Sequence, residues 1–176
     1  MCIRDRQFSV NDLDAVLVSE GPGSYTGLRI AASGVKGLLF GSEVKLYGVQ
    51  TLASFAKAAL EKSPQATNIH AIIDARRKHV YHQKFKVKNA KLTAIKEVQI
   101  MAIELFEKGV QADDVIIGTG LSRLDQGLIK KIKCLGKEFI SAGSLVTLFH
   151  SDGADPFVHK VAPAAFDPKY YTSNQV

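Results

Sequence analysis

Cysteine and long apolar runs are both scarce in this sequence, and each scarcity excludes a class of protein. Cys2 and Cys134 are the only two cysteines among 176 residues. Neither has a cysteine or histidine neighbour at metal-ligand spacing, which excludes a zinc ribbon and a CxxC redox site. No apolar run approaches the roughly 20 residues of a membrane helix, and the first residues lack the apolar core of a secretion signal. We therefore predict a cytoplasmic protein without a membrane segment.

Positive charge is in moderate excess. Lysine and arginine total 23 against 17 acidic residues, which gives a net charge of +6. The composition is 46% hydrophobic and 23% charged, as in globular proteins that bury a core without disulfides. A basic surface favours an anionic partner such as RNA, but a lysine-rich surface that is simply solvated fits the same numbers.

Residues 1–11, MCIRDRQFSVN, show neither helical nor strand periodicity. They resemble the adaptor-derived ends found on assembled gene fragments. We therefore expect this segment to be non-native and the natural protein to begin further upstream.

From residue 12 onward, the apolar pattern predicts an α/β protein with two small lobes that divide near Ser63 and Pro64. Residues 12–63 form the remainder of the first lobe and residues 64–176 form the second. The predicted strands are 13–19, 43–49, 69–74, 80–87, 92–99 and 115–118, and the predicted helices are 27–40, 51–62 and 101–108. Thr51 is expected to cap the second helix, and the basic stretch ARRK is expected to form a tight turn after residue 74.

The loop between the first strand and the first helix reads EGPGSYTGLR at residues 20–29. A Walker A loop needs a lysine after its last glycine, but Leu28 follows Gly27. A Rossmann fingerprint needs a third glycine where Thr26 stands, and an acidic residue after the second strand, where LYGVQ has none. Backbone amides at the helix start could still meet an anion, and a simple tight turn is the alternative. The candidate loop residues are Gly21, Pro22, Gly23, Ser24, Tyr25, Thr26, Gly27 and Arg29.

The helix after this loop has two packing faces. At 100° per residue, its larger apolar side chains fall on one stripe that should face the core; these are Leu28, Ala31, Ala32, Val35, Leu38 and Leu39. The opposite face carries Ile30, Ser33, Gly34 and Gly37, where two interior glycines cost about 0.8–1 kcal/mol each relative to alanine. Such a face suits the close approach of another helix, from the same chain or from a partner protein.

Three stretches carry a family resemblance: DLDAVLVSEGPGSYTGLRIAASGVKGLLFG, VKLYGVQTLASFA and IIDARRKHVY. Together they resemble the TsaB (YeaZ) family over about residues 12 to 87, and the closing DPKYY is similar to the family's final Pro-x-Tyr segment. The family motif in the second lobe corresponds to Asp74, Ala75, Arg76, Val80 and Tyr81.

The resemblance implies the two-lobed fold of the actin-like ATPase and sugar-kinase superfamily. The family's first lobe begins with a β-meander and a helix ahead of the matched segment, so we expect the first lobe here to be incomplete at its N-terminus. The family acts in forming threonylcarbamoyladenosine beside the tRNA anticodon. Its members are thought to be catalytically inactive subunits that pair with the catalytic paralogue TsaD through a bundle of early helices, together with the ATPase TsaE.

The resemblance therefore implies no catalytic residue, no metal and no cofactor on this chain itself, with ATP or ADP and Mg²⁺ bound only at the level of the complex and tRNA engaged indirectly. The paralogue's metal-binding HxxxH pair has no counterpart, since no two of the five histidines lie four positions apart. We expect each histidine to lie at the surface, with His79 and His82 on opposite faces of a strand. The basic turn at residues 76–78 could contact tRNA phosphate or merely be solvated.

Two other interpretations remain open. The chain could be a nucleotide-dependent enzyme of the same superfamily that holds phosphates with the glycine-rich stretches 21–27 and 118–120. It could also be a homodimer that pairs through the same helix face without an active partner.

Overall fold

The computed structural model describes residues 9–171, so most of the predicted non-native segment lies outside it. These residues contain both strands and helices, as expected for an α/β protein. The strands are β1 (Ala15–Gly21), β2 (Lys45–Gln50), β3 (Asn68–Asp74), β4 (His79–Lys88), β5 (Lys91–Ala94), β6 (Gln99–Ala102), β7 (Val115–Gly118), β8 (Lys133–Leu135) and β9 (Val158–Val161). The helices are α1 (Tyr25–Leu38), α2 (Thr51–Lys62), α3 (Ile103–Gly109), α4 (Gln126–Ile129) and α5 (Gly143–Phe149).

The strands of residues 9–171 form two sheets, which confirms the predicted α/β class. The first has the order β1-β2-β9, with β1 and β2 parallel and β9 antiparallel to β2. The second has the order β5-β4-β3-β7-β8, with β6 pairing along β4 beyond β5. The hairpin of β3 and β4 is antiparallel, whereas β7 and β8 run parallel to β3 and to each other.

Helix α2 lies between the two sheets and supplies the centre of the largest core. Its four buried alanines have little volume, so strands of both sheets can approach the helix closely. Leu52 and Val49 are both fully buried there, beside Ile69 and Phe85 of the second sheet. The helix is therefore buried almost all round, where the sequence predicted a single apolar stripe.

Two further cores cover the outer faces of the sheets. Between α1 and the first sheet, Val18, Leu39 and Leu46 are buried together. On the far side of the second sheet, Phe106 of α3 packs against Ile72 and other aliphatic side chains. The resulting layers are α1, first sheet, α2 with α5, second sheet, and α3.

Three differences from the predicted elements bear on the fold. The first residue of α2 is Thr51, but its N-cap is Gln50, and the Thr51 hydroxyl accepts a hydrogen bond from the backbone of the first loop. The predicted strand 92–99 is two strands, β5 and β6, joined by a short segment. The residues of β9 belong to the second half of the chain, yet β9 pairs with β2 in the first sheet. The predicted division at residues 63 and 64 assigns β9 to the second lobe, although β9 pairs in the first sheet.

Two histidines predicted at the surface are buried in the second sheet. His70 and His82 are only 3% and 8% exposed, and His70 Nδ1 lies 3.0 Å from His82 Nε2. His70 Nε2 lies 2.9 Å from Oδ2 of buried Asp114. His79 is exposed and His82 buried on the same strand, so the prediction of opposite faces is confirmed.

Burial lowers the pKa of both histidines. Burial and the neighbouring His70 and Lys84 lower the pKa of His82 from 6.5 to about 3. Burial likewise lowers the pKa of His70, against an opposing effect of Asp114. Asp114 is itself buried, which opposes its charge, but the Gln111 amide and the His70 ring bring its pKa below the ordinary value. At neutral pH both imidazole rings are therefore uncharged, and Asp114 beside them is an ionised carboxylate.

These pKa values predict that acid destabilises the fold before most carboxylates titrate. Below pH 6.5 the histidines of the unfolded chain become protonated, whereas His82 of the folded chain stays neutral until about pH 3. The free energy of unfolding should therefore fall with decreasing pH across this window, by up to about 1.4 kcal/mol per pH unit for each histidine. Urea denaturation between about pH 7 and pH 5 measures this slope. His82→Phe should reduce the slope, and His79→Phe at the exposed position should leave it unchanged; equal slopes in both variants would contradict the assignment.

Candidate functional site

The loop after β1 turns the chain directly into α1. Ser24 is the N-cap of this helix, and its hydroxyl accepts the Gly27 amide at 3.3 Å. At the other end of the loop, the Gly21 amide donates to the Thr51 hydroxyl at 3.2 Å. The helix begins at Tyr25, two residues earlier than predicted, so Tyr25, Thr26 and Gly27 belong to its first turn. The Gly27 amide is thus engaged in the cap.

An open cleft of about 700 Å³ lies between this loop and the β3–β4 hairpin. The cleft brings together the glycine-rich loop and the family motif of the second lobe, which the sequence indicated separately. The lining residues are Pro22, Gly23, Ser24, Tyr25 and Thr26 of the loop, Thr51 and Phe55 of α2, Ile73, Asp74, Ala75, Arg76 and Tyr81 of the hairpin, and Thr119. The motif residue Val80 does not line the cleft, because its side chain is fully buried in the outer core of the second sheet.

Asp74 is held by groups at the base of the hairpin. One of its carboxylate oxygens accepts the Arg76 amide at 2.7 Å, within the tight turn predicted after residue 74. The Arg123 guanidinium donates to both carboxylate oxygens, at 3.0 and 3.1 Å, and also to the Arg77 carbonyl. Arg123 lies 49 residues from Asp74 in the chain, and no local pattern in the sequence pointed to it. The side chains of residues 76–78 are exposed at the hairpin tip.

The second glycine-rich stretch, residues 118–120, packs closely against the second sheet beside the cleft. Gly118 has a φ of +145°, and a Cβ there would overlap the carbonyl of Ile72. Only glycine fits this close approach of β7 to β3. A Cβ on Gly120 would lie 3.3 Å from side-chain atoms of Ile72 and Val80. Only Thr119 of this stretch reaches the cleft wall, so its two glycines serve packing.

The end of the described chain packs on the start of the loop. We call residues 167–171 the C-terminal strap. Lys169 Nζ donates to Glu20 Oε1 at 2.8 Å, and the Lys169 amide donates to the Glu20 carbonyl at 2.6 Å. His159 Nε2 lies 3.2 Å from the other carboxylate oxygen of Glu20, a side chain only 1% exposed. Sequence analysis noted the DPKYY similarity but missed Glu20 as its anchor.

Aromatic contacts extend the strap to α1 and to the second sheet. The Tyr170 ring lies 5.0 Å from the Tyr25 ring, centroid to centroid, and Arg29 lies over the same Tyr25 ring at 4.2 Å. At the second sheet, the Tyr81 hydroxyl lies 3.4 Å from the Tyr171 carbonyl. Arg29, predicted as an anion contact, therefore stacks on Tyr25 and does not line the cleft.

The outer face of α1 is open. Leu28, Ala32 and Leu39 of the predicted core stripe are buried, as expected. The small-residue face of Ile30, Ser33, Gly34 and Gly37 is exposed, with Ile30 at 67%. Apart from the backbone of α1 itself, a Cβ added at Gly34 or Gly37 would meet no atom of the described chain within 4 Å. Phe40, just beyond the helix, is 91% exposed.

Residues 9–171 include no group of three side chains that could hold a metal ion. No helix among them is long and apolar enough to cross a membrane.

The two sheets with helices on their faces define the class of the protein first: an α/β protein with the fold of the actin-like ATPases. A solved Pseudomonas aeruginosa structure, described as an uncharacterized protein with similarity to peptidase YeaZ, superposes with a TM-score of 0.74. It is 24% identical and the superposition covers 96% of this chain and 78% of that one. This likeness confirms the predicted fold.

Sequence comparison then gives the family. The model of the family described as TsaD, tRNA N6-adenosine threonylcarbamoyltransferase, matches residues 2–152. Two relatives named tRNA threonylcarbamoyladenosine biosynthesis protein TsaB are similar to part of the chain: that of Haemophilus influenzae is 42% identical over 72 residues, and that of Escherichia coli is 40% identical over 78. The chain belongs to the TsaD family, among its TsaB (YeaZ) proteins. The matches cover 41% and 44% of this chain and 30% and 33% of those relatives.

The contact of the strap with Glu20 gives a stability prediction. Lys169→Met removes the ammonium group that contacts a buried carboxylate and should lower the free energy of unfolding by about 1–3 kcal/mol. The remaining His159 and the half-exposed position of Lys169 keep the loss below that of a fully buried pair. Urea denaturation measures the effect. Lys160→Met on exposed β9 is the control, and equal stability of the two variants would contradict the role of the ion pair.

Proposed function

We propose that this chain is a non-catalytic subunit that binds a TsaD-type threonylcarbamoyltransferase and so supports formation of threonylcarbamoyladenosine in tRNA. The outer face of α1 is the docking surface in this proposal. TsaE and tRNA would engage through the catalytic partner. The TsaB names of the relatives support the pathway, and their family model supports a paralogue as the partner.

The exposed outer face of α1 carries this proposal. An isolated surface helix gains nothing from two interior glycines, because each lowers helix stability. Gly34 and Gly37 have open space above them and are flanked by Ile30, whose aliphatic side chain is mostly exposed. Small residues around an exposed apolar side chain let a second helix approach to backbone distance, which a bulky polar surface would prevent. Phe40 extends the apolar area at the end of the helix.

The side chains that line the cleft support the proposal that the partner, and not this chain, carries the catalytic residues. Among the described residues that line the cleft, Asp74 is the sole carboxylate, and both of its oxygens already accept from Arg123. A carboxylate held in this way is poorly placed to bind Mg²⁺ or to accept a proton from a substrate. We accordingly assign no catalytic residue to this chain.

A nucleotide-dependent enzyme is the second candidate, because the loop residues 22–26 and Thr119 line one cleft of a size that suits a nucleotide. Incubation of the chain with ATP and Mg²⁺ separates the two functions. We expect no hydrolysis above the rate without protein, since the cleft offers no unengaged carboxylate. Steady turnover that is lost in Asp74→Asn would favour the second candidate and contradict the first.

The docking surface can be tested without disturbing the fold. Gly34→Leu places a side chain into open space and replaces an interior helical glycine, so it should raise stability by up to about 0.8 kcal/mol. In the complex the same side chain should overlap the partner helix and weaken binding at least about tenfold. Calorimetric titration with a purified TsaD-type threonylcarbamoyltransferase measures the affinity, and thermal unfolding measures the stability.

Lys36→Leu is the matched control, because it adds the same side chain on the flank of α1, about 160° around the helix from Gly34. This variant should bind as the parent chain does. Wild-type affinity of Gly34→Leu would refute the proposed surface. Sedimentation of the chain alone tests the homodimer: a dimer that Gly34→Leu dissociates, combined with no affinity for the transferase, would favour self-pairing.

A further inference from the structure

The tip of the β3–β4 hairpin carries three consecutive basic residues, Arg76, Arg77 and Lys78. All three side chains are exposed, and so is that of the following residue, His79. Arg76 lines the cleft, whereas Arg77 and Lys78 line a second concavity of about 400 Å³ beside the start of α3. The basic side chains are therefore distributed over two sides of the tip.

The backbone of this tip adopts an unusual conformation. Arg76 and Arg77 have φ angles of +69° and +51°, in the left-handed region that is unfavourable for residues with a long side chain. Hairpin turns with two successive left-handed residues usually place asparagine or glycine there. Residues that are kept in such conformations are concentrated at functional sites, so the two arginines indicate a function at the tip.

Hydrogen bonds with neighbouring groups hold the tip in this conformation. The His79 amide donates to the Arg76 carbonyl at 3.2 Å, which closes the turn. The Asp74 carboxylate accepts the Arg76 amide, and the Arg123 guanidinium donates to the Arg77 carbonyl. The tip is thus pre-organised, and a ligand that binds it does not have to order the backbone.

The positive charge of the tip is not neutralised by the part of the chain that the structure describes. Arg123 pairs with Asp74 at the base of the hairpin. Within residues 9–171, no acidic oxygen lies within 4.0 Å of a side-chain nitrogen of residues 76–78. Glu104 stands on the wall of the second concavity, but it forms no ion pair with them. The three cations are therefore available to an anion from outside these residues.

The chemistry of the tip favours an extended polyanion. A single small anion would reach the cations on one side of the tip, whereas a chain of phosphates can contact both sides in succession. Protein interfaces depend on aromatic and aliphatic anchors that become buried, and residues 76–79 offer only cationic and imidazole side chains. A nucleic-acid backbone needs no such anchors, because lysine and arginine contacts with its phosphates supply the affinity of non-specific binding.

We propose that the tip of the β3–β4 hairpin is a contact site for the sugar–phosphate backbone of a nucleic acid. The identification of that nucleic acid as tRNA rests on the proposed function, whereas the contact itself rests on the hairpin alone. The contact adds a direct interaction of this chain to the engagement of tRNA through the catalytic partner. It shares no residue with the outer face of α1.

Two double variants with equal charge test the site. Arg77→Gln with Lys78→Gln removes two cations from the tip and keeps the turn, whose hydrogen bonds involve only backbone groups of these two residues. Lys86→Gln with Lys88→Gln removes two cations from exposed positions of the same strand, about 25–35 Å away at 3.3 Å per residue. Both changes lower the net charge equally, so a general attraction between a basic protein and RNA affects both variants alike.

Fluorescence anisotropy of a labelled, unmodified tRNA transcript measures the affinity of the complete chain at about 50 and 200 mM salt. Arg77→Gln with Lys78→Gln should weaken binding at least about tenfold at the lower salt concentration. The slope of the logarithm of the affinity against the logarithm of the salt concentration should fall by about one for each removed charge. Lys86→Gln with Lys88→Gln should bind as the parent chain does. Equal losses in the two double variants, or no binding by the parent chain up to about 100 μM, would overturn the proposal.

Two further measurements distinguish this contact from its alternatives. Polyglutamate of similar total charge represents an acidic protein, and binding of polyglutamate as tight as that of tRNA would overturn the assignment to a nucleic acid. Gly34→Leu should lose affinity for the transferase and keep the parent affinity for tRNA. A chain that binds tRNA through the tip but has no affinity for the transferase would contradict the proposed function and support the contact at the tip.

Discussion

The buried carboxylate of Glu20 holds the first sheet, the loop and the C-terminal strap in one arrangement. A charge that is 1% exposed is tolerable only with close partners. Lys169 and His159 supply them from two segments at the end of the chain, and the Lys169 amide adds a hydrogen bond to the Glu20 carbonyl. Because Glu20 directly precedes the loop, these contacts also fix where Gly21 turns away and where α1 starts.

The direction of α1 has two consequences. Its first turn forms one wall of the cleft, and its glycine-containing face points away from the first sheet into open space. Among the described residues that line the cleft, the one carboxylate, Asp74, is bound by Arg123. The outer face has the opposite character, with exposed apolar and small side chains and no polar network to satisfy. This contrast favours a subunit whose main activity is to bind a partner, with the chemistry on that partner.

Local patterns predicted the elements whose determinants are local. The bounds of α2 and β7 agree with the sequence, because an apolar run with a following glycine or proline specifies such elements within a few residues. The small-residue face of α1 was also predicted from a local pattern, the helical spacing of its residues. The predicted strand 92–99 failed because its two halves pair with different parts of β4, around a connecting segment that no periodicity reveals.

Contacts between distant residues could not be predicted in this way. Glu20 and Lys169 are 149 positions apart, and His70 and Asp114 are 44 apart. A histidine is usually exposed, and only the pairing of β3 with β4 puts the two rings together in the core. The return of β9 to the first sheet is likewise a matter of tertiary topology. The site was therefore predicted as two separate motifs, and the structure joined them.

The proposed function depends most on the outer face of α1 being covered by a TsaD-type partner. Ser33→Cys is a nearly isosteric change at the centre of that face, and its reaction with a thiol-specific reagent can be followed by mass spectrometry of the labelled peptide. We predict rapid labelling of the free chain and strong protection when the transferase is bound, while Thr147→Cys on exposed α5 stays reactive in both states. Labelling of Ser33→Cys at the same rate with and without bound transferase would contradict it.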